Sequence, residues 1–561
     1  MTTGALPPIQ GSRRWLIALV LLAIASAALA VAVQRNVFPY YSGDRDEPVY
    51  RYQAQMLEAG LLTIPRSQEE FFRPWLSGPQ GDHLVMAFEP VWPAVLAISD
   101  ATTNSMLPAL ALAAAAAVAG MYAFAVELLG DRRVAIVSGA LLAFSPFALL
   151  LGGTYLNYTF GLALGVWCAF ATVRAVHRRS AGAGLSAGLL LGVLVFTRPY
   201  DAILVSVPLG LFVLSSRVSR REVVRLVRWA IVGVVPLLAL TLAYNAFVDG
   251  SPFTFPTTVQ SGGWSRFGWG VRALAPDMPR LNYSFFGALK ALGRNGAATP
   301  TWMIGSYLSL GVAAVGGLVV FRRDHRVFMF VAAMTVVFPI GYLTWWASSL
   351  TSAGAFTGLG PHYYFPALVP LSLLAAVGFR DLAARTRPAI TVAVLGLLAI
   401  TTVVFVLPKL DDQRYVNEAD RRYSSAVLNA TARRSGQLLV VNERAPYPYV
   451  MLKHGLIANR PRLNSRVLFA IDRGAKNIDL LRSRPKRRAF RVVRELTSGA
   501  PLGSIHPVLV PQRARTAKQI SLATTIVNAD GAKVITPMPA SQACVERSYW
   551  TVRPPKASGI A

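Results

Sequence analysis

Cysteine is almost absent from this chain: Cys168 and Cys544 are the only two in 561 residues. They lie far apart and the first sits inside an apolar run, so neither a disulfide framework nor a CxxC metal site is implied. Acidic residues are also scarce, with 27 Asp or Glu against 56 Lys or Arg and a formal net charge of +29. No GxGxxG loop, Walker loop, HExxH pair or internal repeat occurs, which leaves dinucleotide-binding, P-loop and zincin chemistry without a sequence basis. Charged residues of both signs make up only 15% of the chain, whereas 54% is hydrophobic and the mean hydropathy is +0.44. That composition belongs to a membrane protein. The positive excess is not arranged for nucleic acid, because much of it falls in short loops between apolar runs, where it sets topology.

Eleven apolar segments are expected to span, at about 15–33, 103–129, 133–151, 155–173, 182–197, 202–215, 229–246, 302–321, 327–346, 363–379 and 389–407. The first lacks a convincing small-residue cleavage site and reads as a retained span. Arg13 and Arg14 precede it, which puts the N-terminus in the cytoplasm. The short arginine-bearing loops then fall inside, and Arg198 is the only arginine in the short external ones. This layout predicts a multi-pass plasma (inner) membrane protein with loops 34–102 and 247–301 and the tail 408–561 outside the cytoplasm. The expected fold class is an α-helical polytopic membrane domain over 1–407, with about eleven transmembrane helices, followed by a small extracytoplasmic α/β domain over 408–561. In the tail, 437–442 and 466–471 read as strands and 418–434 as a helix. It holds 27 Lys or Arg against 10 Asp or Glu, more than half of the net charge. An anionic headgroup surface, an acidic polymer and an ordinary solvated face are all compatible with that excess.

Candidate chemistry gathers outside. In 43–60, GDRDEPVYRYQAQMLEAG, three acids lie within four residues: Asp44, Asp46 and Glu47. Pro48 suits a first helical turn, Tyr50, Ala54, Leu57 and Leu61 follow at helical spacing, and Gly60 suits a stop. Asp46 is the candidate general base, with Glu47 and Asp44 orienting it or holding a cation. The bland alternative is that Asp46 or Glu47 caps the helix. Glu89-Pro90 and Trp92-Pro93 break the chain ahead of an apolar run too short to span, either a juxtamembrane or re-entrant helix or a plain helix entry. Arg198 and Asp201 lie at an external span end, where a phosphate-binding arginine and a structural ion pair are both possible. His362-Tyr363-Tyr364 offers donors and aromatic faces for a sugar, or an interfacial anchor. Loop 247–301 adds Arg266 and Arg272 among Phe253, Phe255, Trp264, Phe267 and Trp269. Asn157-Tyr158-Thr159, Asn282-Tyr283-Ser284 and Asn429-Ala430-Thr431 match glycosylation acceptors and carry no weight here.

The ordered set DEPVYRYQAQMLEAG (46–60), FEPVWPAVLAI (88–98), FTRPYDAI (196–203), YNAFVDGSPFTFP (244–256), GPHYYFPALVPL (360–371) and NSRVLFAIDRGAKNIDLL (464–481) resembles the polytopic C-type (GT-C) glycosyltransferases. These include dolichyl-phosphate-mannose protein mannosyltransferases and the bacterial lipid A aminoarabinose transferase. The resemblance covers most of the chain and implies a GT-C-like transmembrane domain that moves a sugar from a polyprenyl-phosphate donor to a glycan, lipid or protein acceptor. It assigns the catalytic acid to Asp46, with Glu47 beside it and inversion at the anomeric carbon. Some members use a divalent cation, for which Asp44, Asp46 and Glu47 are the available ligands. Two departures stand out: Ala87 occupies the place of a phosphate-binding lysine, and His362 and Pro366 replace an arginine and a glutamate around the tyrosines. Arg198, Arg266, Arg272 or His362 is then left to meet the donor phosphate. A transporter or flippase of lipid-linked saccharides, and an inactive polymer-binding relative, are the competing classes; no nucleic-acid partner is expected.

Overall fold

The computed structural model describes residues 12–39, 41–44, 46–276, 278–351, 359–442, 459–495 and 506–513. The chain forms two compact units, one of Met1–Ser67 with Pro74–Glu418 and one of Gln68–Arg73 with Ala419–Ala561. The division differs from the expected 407/408 boundary. The helix Pro388–Ala432 continues through Pro408 instead of ending there, and six residues of the first external loop join the second unit. Cys544 and the tail beyond 513 lie outside the described residues.

In the first unit, seven helices are long and apolar enough to cross a bilayer: Arg13–Asn36, Leu107–Leu129, Tyr158–Arg178, Arg220–Val248, His325–Thr344, His362–Arg385 and Pro388–Tyr415. Two bent pairs raise this to nine, Arg132–Ala143 with Pro146–Gly152 at 57° and Phe285–Ile304 with Tyr307–Arg323 at 88°. Ala181–Val195 and Pro199–Leu214 are shorter apolar helices. Every expected apolar segment falls on one of these elements: the seven long helices, the two bent pairs or the two shorter helices. Large apolar side chains such as Leu16, Ile17, Leu21, Leu112 and Leu214 point outward and are exposed. Such surfaces suit hydrocarbon, where the helix satisfies its own backbone groups. Small residues allow close helix contact. A Cβ at Gly316 would overlap the Leu374 carbonyl oxygen, and one at Gly378 the Val312 carbonyl oxygen, so Tyr307–Arg323 and Leu368–Arg385 approach backbone to backbone.

The first external loop is folded. Its helix Glu47–Glu58 carries Pro48 in the first turn, and Gly60 follows with φ +70°, as the spacing predicted. Strands β1 (Ile64–Pro65), β2 (Ser77–Gln80) and β3 (His83–Met86) form an antiparallel sheet in the order β1-β3-β2. Val49, Tyr52 and Met56 of the helix pack with Ile64, Leu84 and Met86 of the sheet. The helix Val91–Thr103, too short to span, ends at Asn104 in the left-handed conformation. In the second external loop, β4 (Gly270–Arg272) pairs with β5 (Leu281–Tyr283).

The second unit holds a four-stranded sheet in the order β7-β6-β8-β9, from β6 (Leu438–Asn442), β7 (Val467–Ile471), β8 (Arg488–Glu495) and β9 (His506–Gln512). β6 is parallel to β7 and β8, and β9 is antiparallel to β8. Residues 437–442 and 466–471 thus supply two of its strands. Phe72, from the loop segment 68–73, is buried among Leu439, Leu468, Ala470 and Leu480. Glu70 ties that segment down through Lys476 at 2.7 Å and through its carbonyl, which accepts from Arg473 at 2.7 Å.

Candidate active site

The acidic head of the first loop is built by backbone turns. Ser42 Oγ accepts the Asp44 N–H at 3.2 Å, and Asp44 Oδ1 accepts the Asp46 N–H at 3.0 Å, the Asx pattern of a short polar side chain bonding two residues on. Glu47 is fully buried; one oxygen accepts the Ser42 N–H at 2.6 Å and the other the Tyr155 N–H at 2.8 Å. Glu47 therefore clamps this loop to the loop before helix Tyr158–Arg178. Asp46 stands at the N-cap of its helix, yet its side chain makes no capping hydrogen bond. The cap alternative is thus not how this carboxyl group is used. Burial and the Asp44 charge push the Asp46 carboxyl well above the usual range, and Arg198 pulls it back down.

Arg198 is the hub opposite. Its guanidinium pairs with Asp201, donates to Asn157 Oδ1 at 2.6 Å and to the Tyr342 hydroxyl at 3.3 Å, and lies 4.2 Å over the Tyr158 ring. Tyr342 in turn donates to Asp201. Tyr363 stacks on Tyr342 at 4.7 Å between centroids, and His362 packs edge-on against Tyr158 at 4.9 Å. Tyr50, from the helix behind Asp46, stacks on Phe88 at 4.3 Å. Trp92 secures the loop below by donating to the Tyr155 carbonyl at 2.7 Å. The result is an ionisable acid and a buried, fully oriented cation in an aromatic-walled site. Of the sequence candidates, Asp44, Asp46, Arg198, Asp201, His362 and Tyr363 come together here.

Others do not. Tyr364 is buried next to Asn295, away from the Arg198 cluster. Arg272 donates to the carbonyls of Arg266, Phe267, Trp269 and Val271 and so braces its own loop. Arg266 is exposed. Glu89 is buried beside Asp249, and burial plus that neighbouring charge raises its carboxyl to about 8; burial raises Asp249 to about 7. Asn157, Tyr158 and Tyr342 were not singled out from the sequence. Asn157 and Tyr158 lay in a motif read as a glycosylation acceptor, and Tyr342 was hidden inside an expected span. Among the described residues no group of three or more His, Cys, Asp or Glu side chains is placed to hold a metal. With Glu47 engaged by two backbone N–H groups, the three acids do not form the ligand set the resemblance suggested.

This overall fold is found again in solved structures of ArnT. Residues 91–244 match the dolichyl-phosphate-mannose-protein mannosyltransferase family. ArnT from Cupriavidus metallidurans bound to undecaprenyl phosphate superposes with a TM-score of 0.53 at 13% identity, over 86% of this chain and 94% of that one. The same protein in the apo state gives 0.53 at 12% identity, over 86% and 93%. The Archaeoglobus fulgidus oligosaccharyltransferase complex with Zn and sulfate gives 0.49 at 13% identity, over 85% and 68%. No curated protein sequence matches the chain.

Proposed function

We propose that this chain is a multi-pass membrane glycosyltransferase that moves a sugar from a polyprenyl-phosphate donor to an envelope glycan, lipid or protein acceptor on the extracytoplasmic face. The observation that carries the reading is the opposition of Asp46 to the Arg198–Asp201–Tyr342 cluster. Asp46 takes the proton of the acceptor hydroxyl as that oxygen attacks the anomeric carbon. The bond from that carbon to the donor phosphate oxygen breaks, and attack from the opposite side inverts the configuration. Negative charge grows on the departing lipid phosphate, and a preorientated cation such as Arg198 stabilises it without reorganisation. Asp44 sets the basicity of Asp46 by like-charge repulsion, and Glu47 holds the loop in place. No step is routed through a metal, because the acids present do not form its ligand set. The N-terminus is cytoplasmic in this reading, and loops 34–102 and 247–301 face outward with the second unit.

The test is transfer from polyprenyl-phosphate sugars in proteoliposomes. Wild-type protein is expected to form glycosylated product and Asp46→Asn to lose it by two to four orders of magnitude, roughly the range for a positioned general base. Full activity in Asp46→Asn would remove Asp46 as the base. Donor protection without product from either protein would favour a carrier or binder of lipid-linked saccharides.

A further inference from the structure

The charge of the second unit is sorted along its sheet. β6, β7 and β8 run parallel, with Leu438 opposite both Val467 and Arg488. The residues just before them, Gln437, Arg466 and Arg487, therefore form one row at the N-terminal edge of the sheet. Two backbone bonds fix that row: Leu438 N–H to the Arg466 carbonyl at 2.9 Å and Arg488 N–H to the Gln437 carbonyl at 2.9 Å. The order β7-β6-β8 puts Gln437 between the two arginines, so Arg466 and Arg487 stand two strand spacings, about 9.6 Å, apart. Arg434, Arg484, Lys486 and Arg488 flank the row. Arg434 and Arg488 both lie over one buried ring, Phe490, at 4.8 and 5.8 Å.

None of these six cations forms an ion pair with a carboxylate among the described residues. Arg466 donates to the carbonyls of Arg434, Gly436 and Thr431, and Arg487 to those of Leu438, Arg466 and Ser465. Carbonyl oxygens orient a guanidinium but leave its full positive charge in place. The paired charges lie at the opposite end of the sheet, where Asp472, just past β7, binds Arg491 at 2.7 Å and Glu70 binds Lys476 at 2.7 Å. A random solvated surface would mix the signs; here one edge is cationic and the other neutralised.

We propose that the N-terminal edge of this sheet binds a linear acidic polysaccharide, one carrying a carboxylate or phosphate on successive units. A cluster of six cations without a carboxylate partner complements a chain that carries repeated anions, and Arg466 and Arg487 are preoriented by their carbonyl bonds, so little side-chain entropy is lost on binding. The described rings at this edge, Phe72 and Phe490, are buried and lie against Arg484, Arg434 and Arg488, so the edge presents charge; binding to lipid headgroups is the alternative the test separates. The inference does not depend on sugar transfer, since it concerns binding alone.

The test uses the full chain in phosphatidylcholine nanodiscs. The probe is polygalacturonate, with neutral dextran and phosphatidylglycerol vesicles as comparisons. The wild type is expected to bind polygalacturonate, to ignore dextran, and to weaken as salt rises. The triple change Arg484→Ser, Lys486→Ser and Arg488→Ser is expected to weaken binding at least tenfold and to flatten the salt dependence, because fewer counterions are released. Arg484→Lys with Arg488→Lys keeps the charge and is expected to retain binding within a few-fold, which separates loss of charge from loss of fold. Unchanged binding in the triple variant, equal binding of dextran, or capture by phosphatidylglycerol vesicles alone would each overturn the proposal.

Discussion

Asp46 sits between two charges of opposite effect, which makes its titration the sharpest residue-scale prediction. The base works ionised, so the transfer rate rises with pH through its raised pKa and then levels. Asp44→Asn removes the repulsion that raises the pKa, so the rising limb is expected to move to lower pH. The Asn oxygen can still accept the Asp46 N–H, which keeps the turn. Arg198→Gln removes the charge that lowers the pKa, so the limb is expected to move to higher pH and the plateau to fall. Opposite shifts in a pH–rate profile would confirm the arrangement; shifts of the same sign would refute it. Arg198→Gln also leaves Asp201 buried without its partner, a change that costs about 3–5 kcal/mol, so its profile is read on protein shown to be folded. At this scale the sequence was partly legible. Asp46, Arg198, Asp201, His362 and Tyr363 were visible as scarce or span-end polar residues in an apolar chain. The backbone partners of Glu47 and Arg272 were not visible, because a sequence shows a charge but not the backbone groups that hold it.

At the scale of elements, apolar periodicity and capping residues located the helices, because both are local properties of the chain. Pro48 and Gly60 marked the ends of the first external helix for the same reason. Helix contact was not legible. Gly316 and Gly378 look like ordinary small residues in long apolar runs, yet each faces a backbone carbonyl of the other's helix. Gly316→Ala is expected to push Tyr307–Arg323 from Leu368–Arg385 and to cost about 1–3 kcal/mol, the range for overpacking. Gly311→Ala, on the same helix with open space around its added methyl, is expected to be neutral or slightly stabilising, since alanine is the better helix former. Thermal unfolding in detergent checks both, and equal behaviour of the two variants would count against the close packing. The break at Gly305, φ +78°, and the 88° bend it opens were likewise hidden, since a continuous apolar run does not announce a turn.

For the molecule as a whole, global stability should report the buried carboxyls Glu89 and Asp249, which are faced by His83 and Tyr244. Their folded pKa values of about 8 and about 7 lie above the ordinary 4.5 and 3.8. The folded state therefore keeps protons that the unfolded chain releases. The contribution of these two carboxyls to stability is expected to be greatest below about pH 4 and to fall as pH rises towards 8, by about 1.4 kcal/mol per pH unit for each group between its ordinary and its folded pKa. Glu89→Gln should flatten that slope in unfolding measured across the range; an unaltered slope would show that Glu89 does not carry it. The sequence by itself determined that this is a polytopic membrane protein with an acidic loop after its first apolar helix and a basic tail, because hydropathy, sign of charge and cap chemistry are read residue by residue. Only the tertiary structure decided that Arg198 acts on the charge of Asp46, that residues 68–73 join the second unit, and that six cations of the described tail gather at one sheet edge. Each of these joins residues far apart in sequence, and burial and hydrogen bonding between distant segments leave no periodic trace in the chain that supplies them.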